Sequence, residues 1–380
     1  MNGMKDWFLL DPDITFLNHG SYGACSKPVF KEYQDWQQKL ETQPVQFMTN
    51  QVYSAMEKSR ESMSQFVGCD DEELVFFQNP TTAVTNVIYN LDLKPGDEVL
   101  MSNHEYGALV RAWKMWGKKT GVNIIQQDIS MPVTTEENFV ENFRTGVTDQ
   151  TKVIFLSHIT SSTALIFPIE KIIKLAKEQN ILTIIDGAHV PAQIPLNIHE
   201  LGCDFYTGAC HKWLCAPKGS SFLYVKATHH EWMRPLVMSW GEEGDDPGPT
   251  QFLKNFQWQG TRDMSAFLTI PAAIRFREEN HWSDVQANCQ KLVEKTAKHL
   301  KKLLKTTPLF HGFQWLGQMV SHPLPGSAPS DLKLILWNDH KIEVPVFEWQ
   351  DQQFIRVSIQ GYNTWADVEK LIYALETLLP

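Results

Sequence analysis

The sequence predicts an α/β fold, a mostly parallel seven-stranded sheet in a large domain followed by a smaller α+β domain. Short apolar runs alternate regularly with longer amphipathic ones, the order expected of a parallel sheet wound with helices. Several runs are too apolar to expose either face, as strands covered on both sides are. From about residue 275 the alternation ends, and a long helical pattern, two further strands and a last helix follow.

Taken in order, the strand-like runs are Leu74 to Phe77, Glu98 to Met101, Asn123 to Gln126, Val153 to Ser157, Leu182 to Asp186, Asp204 to Tyr206 and Ser221 to Val225. Between them, apolar residues three and four apart predict helices over Thr82 to Leu91, Tyr106 to Lys119 and, just behind Pro168, Glu170 to Gln179. The stripe Val285, Cys289, Leu292, Val293, Leu300 and Leu303 predicts one long helix, with strands near 332–337 and 354–359 and a helix from 365. The expected division is an N-terminal segment 1–20, a large domain 21–270 and a small domain 271–380.

A chain of 380 residues can bury a sizeable core, and 43% hydrophobic against 21% charged residues is ordinary for a globular protein. The net charge of -10 and the lack of a Lys/Arg block argue against a nucleic-acid or anionic-membrane partner, so a small molecule is expected. No run reaches the ~18 apolar residues of a membrane span. The N-terminus has too short an apolar run for a secretory signal, and a cytoplasmic protein is expected. The six Cys form no CxxC pair, so reduced thiols and no metal site are expected.

In an open α/β sheet, ligands bind beyond the carboxyl ends of the strands. The run "ILTIIDGAHVPAQ" ends in Asp186, with His189 three residues on; buried there, a carboxylate is costly without a cation, although Asp also caps turns. "QNPTTAVTN" sets Thr81 and Thr82 at a helix start, where free N–H groups suit a phosphate and where Thr is also an ordinary cap. In "FYTGACHKWLCAPKG" the apolar neighbours of Lys212 imply partial burial, which lowers an amine's pKa and makes it a nucleophile for carbonyls. Together these groups are what pyridoxal 5'-phosphate (PLP) needs.

The segments "FLNHGSYGAC", "QNPTTAVTN", "NHEYGALVRAW", "SHITSSTALIFPI", "IIDGAHVPAQIPLNIHELGCDFYTGACHKW", "WQGTRDMSAFL" and "IRVSIQGYNT" resemble the class V aminotransferases, PLP enzymes of fold type I, and within them the isopenicillin N epimerase-like group. The likeness runs from about residue 13 to the C-terminus. It implies that Lys212 forms the Schiff base, that Asp186 keeps the pyridine nitrogen protonated and that His189 bonds the ring hydroxyl, flanked by Thr160 or Ser161. His211, Thr81 and Thr82 would hold the phosphate. Tyr106, or failing it His104, would stack on the ring and supply a second catalytic group. Gly260 and Thr261 in "GTRD" would reach the phosphate of a neighbouring subunit, which implies a homodimer. Arg356 would clamp the substrate carboxylate, and Asn18 and His19 would close over the substrate.

The implied reaction is epimerisation at Cα of an amino acid or small peptide. Carbon-sulfur β-elimination of a cysteine conjugate or sulfoxide and transamination are alternatives, as is a non-catalytic PLP-fold binding protein. Persulfide chemistry would require Cys25, because no Cys follows Cys289. Cys210 and Cys215 are expected to pack as small apolar residues, and "GEEGDDPGP" to be a solvated loop.

Overall fold

The computed structural model describes residues 4–243 and 248–379. The centre of the acidic turn, residues 244–247, therefore lies outside the described residues. In chain order the strands are β1 (Thr15–Phe16), β2 (Leu74–Phe77), β3 (Glu98–Ser102), β4 (Asn123–Gln127), β5 (Thr151–Ser157) and β6 (Leu182–Asp186). Then come β7 (Phe205–Ala209), β8 (Ser221–Val225), β9 (Met319–Pro323), β10 (Ile342–Glu343), β11 (Val346–Trp349) and β12 (Gln352–Ser358).

Strands β2 to β8 form one seven-stranded sheet in the order β2-β8-β7-β6-β5-β3-β4. It is parallel except at β8, which runs antiparallel to both neighbours, β2 and β7. The alternation of side chains along each strand sorts its residues into two cores. On β5, Val153 and Phe155 face one and Ile154 and Leu156 the other; on β3, Val99 and Met101 are separated from Leu100 in the same way. Apolar residues at every position are thus explained by helices on both faces. The first core is closed by helices Pro80–Asn90, Gly107–Thr120 and Gln251–Gln257, and the second by Val52–Val67, Ile169–Glu178 and Trp282–Leu304 among others. Each fully buried Leu, Ile, Val or Phe there contributes about 1.5–3 kcal/mol of transfer free energy.

The C-terminal part differs from expectation in three places. The residues 332–337 form a helix, Leu332–Asn338, not a strand. Its buried pair Leu332 and Leu336 lies four apart while Leu334 and Trp337 are exposed, and a short apolar run cannot distinguish these periods beforehand. The long helical pattern is two helices, Ile270–Glu279 and Trp282–Leu304, separated where His281 takes a left-handed φ of 48°. Strands β9, "MVSHP", β10 and β11 are absent from the expected pattern; β9 pairs with β12, which also pairs with β11 in a three-stranded antiparallel sheet. Of the predicted stripe, Val285, Cys289, Val293 and Leu300 are buried, and Leu292 and Leu303 are partly buried.

Candidate active site

The carboxyl ends of β2, β5, β6 and β7 and the start of antiparallel β8 share one edge of the large sheet. A cavity of about 680 Å³ lies along that edge, within the size range of small-molecule sites. Thr81, Thr82, Tyr106, Ser161, Asp186, His189, His211, Lys212 and Arg356 all line it.

Each is delivered by local structure. After β2 the chain reaches Asn79 in extended conformation, and its Oδ1 accepts the Thr82 N–H at 2.9 Å and the Thr82 hydroxyl at 3.1 Å. Asn79, not a threonine, is therefore the cap of helix Pro80–Asn90. Strand β6 ends at Asp186, whose Oδ1 accepts the Ala188 N–H at 2.9 Å, so the carboxylate both caps a turn and faces the cavity. Past β7, His211 Nδ1 lies 3.0 Å from Ser220 O, and Lys212 Nζ lies 3.0 Å from His189 Nε2. Arg356, from β12, donates from Nη1 to Ser161 O at 2.5 Å and from Nη2 to Ser21 Oγ at 3.0 Å; its buried Nε has no protein partner.

Burial shapes the charges. It pulls Lys212 down to about 7, helped by the Arg356 cation and opposed by Asp186. It raises the Asp186 carboxyl, against the Ala188 N–H and the Lys212 cation. The same desolvation lowers Arg356 to about 10 and His211 to about 4, and holds His189 well below its usual value. The wall is thus set with a reactive amine, neutral imidazoles, a guanidinium and a carboxyl group.

Several expected residues stand behind this wall. His104 is fully buried, its Nδ1 2.8 Å from Thr163 Oγ1 and its ring 4.5 Å from that of Trp349, so Tyr106 alone of the two aromatic candidates lines the cavity. Thr160 is turned to Thr163 Oγ1 at 2.7 Å and accepts the Leu165 N–H, which leaves Ser161 as the hydroxyl at the wall. Asn18 bonds Glu343 and Ser21. His19 is fully buried between Tyr362 OH at 2.8 Å and Lys212 O at 3.0 Å. Neither lines the cavity; Gly20, Ser21 and Tyr22, the next residues of the segment, do. Gly260 and exposed Thr261 do not line this chain's cavity.

The sequence also gave no sign of Glu105. Buried and pushed up to about 8 by desolvation, it accepts from the Ser102 hydroxyl at 2.5 Å and the Ser157 N–H at 2.8 Å, tying β3 to β5 directly before Tyr106. All six cysteines are free. No Cys lines the cavity among the described residues, and burial raises the thiols of Cys25 and Cys215 to about 12. Cys210, with its Sγ 4.0 Å from Met63 Sδ, packs as a small apolar residue.

The family model for class-V aminotransferases matches residues 24–371. The chain belongs to that family. Among curated relatives, isopenicillin N epimerase of Amycolatopsis lactamdurans is 32% identical, over 97% of this chain and 96% of that protein. Hercynylcysteine sulfoxide lyase of Schizosaccharomyces pombe is 27% identical, over 96% of this chain and 94% of that protein. Among solved structures, C-DES with glycine covalently linked to the PLP cofactor superposes with a TM-score of 0.86 at 17% identity, covering 98% of this chain and 99% of that one. The apo cysteine desulfurase of Thermococcus onnurineus NA1 gives 0.84 at 21% identity, covering 99% and 97%. The class-V fold of this chain is thus that of PLP enzymes of fold type I. No helix among the described residues is long and apolar enough to cross a membrane.

Proposed function

We propose that this protein is a PLP-dependent enzyme that acts at the Cα–H bond of an amino acid or small peptide. The observation that carries the reading is Lys212, a half-buried amine pulled down to about 7 that shares one cavity with the Asp186 carboxyl group and the Arg356 guanidinium. The donor set suits PLP, with an amine for the aldehyde, a buried carboxyl for the pyridine N–H and a helix N-terminus with two hydroxyls for the phosphate. When bound, PLP supplies an electron sink for the pair left on Cα.

The residues then divide the work. Lys212 would hold the cofactor, and its Nζ would carry the proton taken from Cα. Asp186 would hold the proton at the pyridine nitrogen, and His189, with Ser161 on the same wall, would meet the ring hydroxyl. Thr81, Thr82 and the helix start hold the phosphate. His211 already turns Nδ1 to Ser220 O, so it joins them by taking a proton on Nε2, a change that a dianion favours. Arg356 turns a planar fork to the substrate carboxylate, and its partnerless Nε supports that role. Asn18 and His19 brace the segment that carries Ser21.

Epimerisation is the first reading, supported by the 32% identity to an isopenicillin N epimerase and by Tyr106 as a second proton-bearing group on the wall. β-Elimination of a cysteine conjugate or sulfoxide is the second, favoured by the likeness to hercynylcysteine sulfoxide lyase; it requires only Lys212 and a leaving group. Incubation with L-amino acids and cysteine conjugates in deuterated water separates them. Deuterium at Cα with loss of chirality means epimerisation, pyruvate with ammonia means elimination, and neither, with no keto acid, would sink the enzyme reading.

A homodimer belongs to the same proposal. Exposed Thr261 follows Gly260, whose φ is 97° and where an added Cβ would stand in open space, and Leu236, Val237, Met238 and Trp240 are exposed as well. A loop and apolar surface so placed suit a second copy. Sedimentation that finds only the monomer at micromolar concentration would contradict it. The division at 20/21 and 270/271 is likewise proposed, supported by β2 to β8 lying before the second boundary and β9 to β12 after it. A cytoplasmic location is proposed from the sequence alone.

A further inference from the structure

We propose that Trp213 is a positioning residue that fixes, through His189, which ring nitrogen carries the proton facing the cavity. Trp213 is fully buried, and its Nε1–H donates to His189 Nδ1 at 3.3 Å. An indole N–H can only donate. The His189 ring is neutral, for burial first and then the nearby Lys212 and Arg356 cations oppose its protonation. A neutral imidazole has one N–H and one lone pair, so accepting at Nδ1 leaves the proton on Nε2.

Nε2 is the nitrogen that stands 3.0 Å from Lys212 Nζ. An Nε2–H can meet Lys212 there only when the amine is unprotonated and accepts. An ammonium group, which has donors alone, would need the other tautomer and would turn His189 Nδ1–H against the indole N–H. Trp213 thus biases Lys212 toward the free amine, alongside burial and Arg356 and against the Asp186 carboxylate. It also presents a fixed donor to the cavity. That this donor meets the cofactor's ring oxygen rests on the proposed function; the tautomer itself does not.

Two readouts on the full-length chain test the inference. Long-range ¹H–¹⁵N spectra of protein labelled with ¹⁵N-histidine, before and after addition of PLP, report the tautomer directly, with His189→Gln assigning the signals. The expected wild-type state is protonated Nε2 and bare Nδ1. Protonated Nδ1, or a ring averaging between tautomers, would overturn the proposal. In Trp213→Phe the pH midpoint for acylation of Lys212 in the cofactor-free chain should rise by half a unit or more, about a threefold loss of free amine below the midpoint. An unchanged midpoint would also overturn it. If the Phe variant does not fold, the wild-type spectrum decides. Failure to take up PLP would count against the proposed function and leave both readouts standing.

Discussion

A lysine amine 3.0 Å from a neutral imidazole and facing a guanidinium gains little by staying charged. Its pKa of about 7 lies below that of a free lysine, so between about 7 and about 10.5 the folded chain binds fewer protons here than the unfolded chain. The contribution of Lys212 to stability therefore rises with pH across that window, and its fraction of free, nucleophilic amine rises through a midpoint near 7. Acylation of Lys212 in the cofactor-free protein, followed by peptide mass spectrometry, should reach half its limiting rate near pH 7; a midpoint above 9 would show an ordinary solvated lysine. Placement at the cavity was legible where chemistry singles out a side chain: Lys212 among apolar neighbours, Asp186 ending an apolar run, Arg356 in a family-like motif. It was not legible where only orientation matters. Asn18 and Ser21 lie in one short segment, and the turn His19–Tyr22 decides which of them faces the cavity.

Elements position these side chains through their ends. Asn79 holds the start of helix Pro80–Asn90, and with Pro80 preset for the first turn it keeps Thr81 and Thr82 at the wall. Asn79→Ala should cost about 1 kcal/mol of stability, the usual loss of a cap, and weaken PLP binding by loosening the helix start. Denaturant titration and cofactor titration check the two effects, and an unchanged value in both would show that the cap does not organise the site. The strands of the large sheet and three of its helices were legible from run length and apolar spacing, whereas the helices Val52–Val67 and Gln251–Gln257, which also cover it, were not. The error at Leu332–Asn338 arose where a seven-residue run satisfies either period. Glu105 escaped notice because in "NHEYG" a glutamate reads as solvated turn, and only the approach of Ser157 from β5 makes it a buried tie.

At the scale of the molecule, the cavity joins parts that are remote in sequence. Ser21 and Arg356 are 335 positions apart, yet share a hydrogen bond, and β1 pairs with β10 to hold the N-terminal segment against the C-terminal strands. Pattern alone predicts a parallel sheet but not the antiparallel insertion of β8 between β2 and β7. That insertion brings Gly219 to the same edge as Asp186 and Lys212, and with it Ser220, the partner of His211. The convergence implies one reactive amine for one cofactor. Borohydride reduction of the PLP-loaded protein, followed by digestion and mass spectrometry, tests that most directly: a pyridoxyl group confined to the peptide of Lys212 is predicted, whereas label on another lysine, or none, would contradict it.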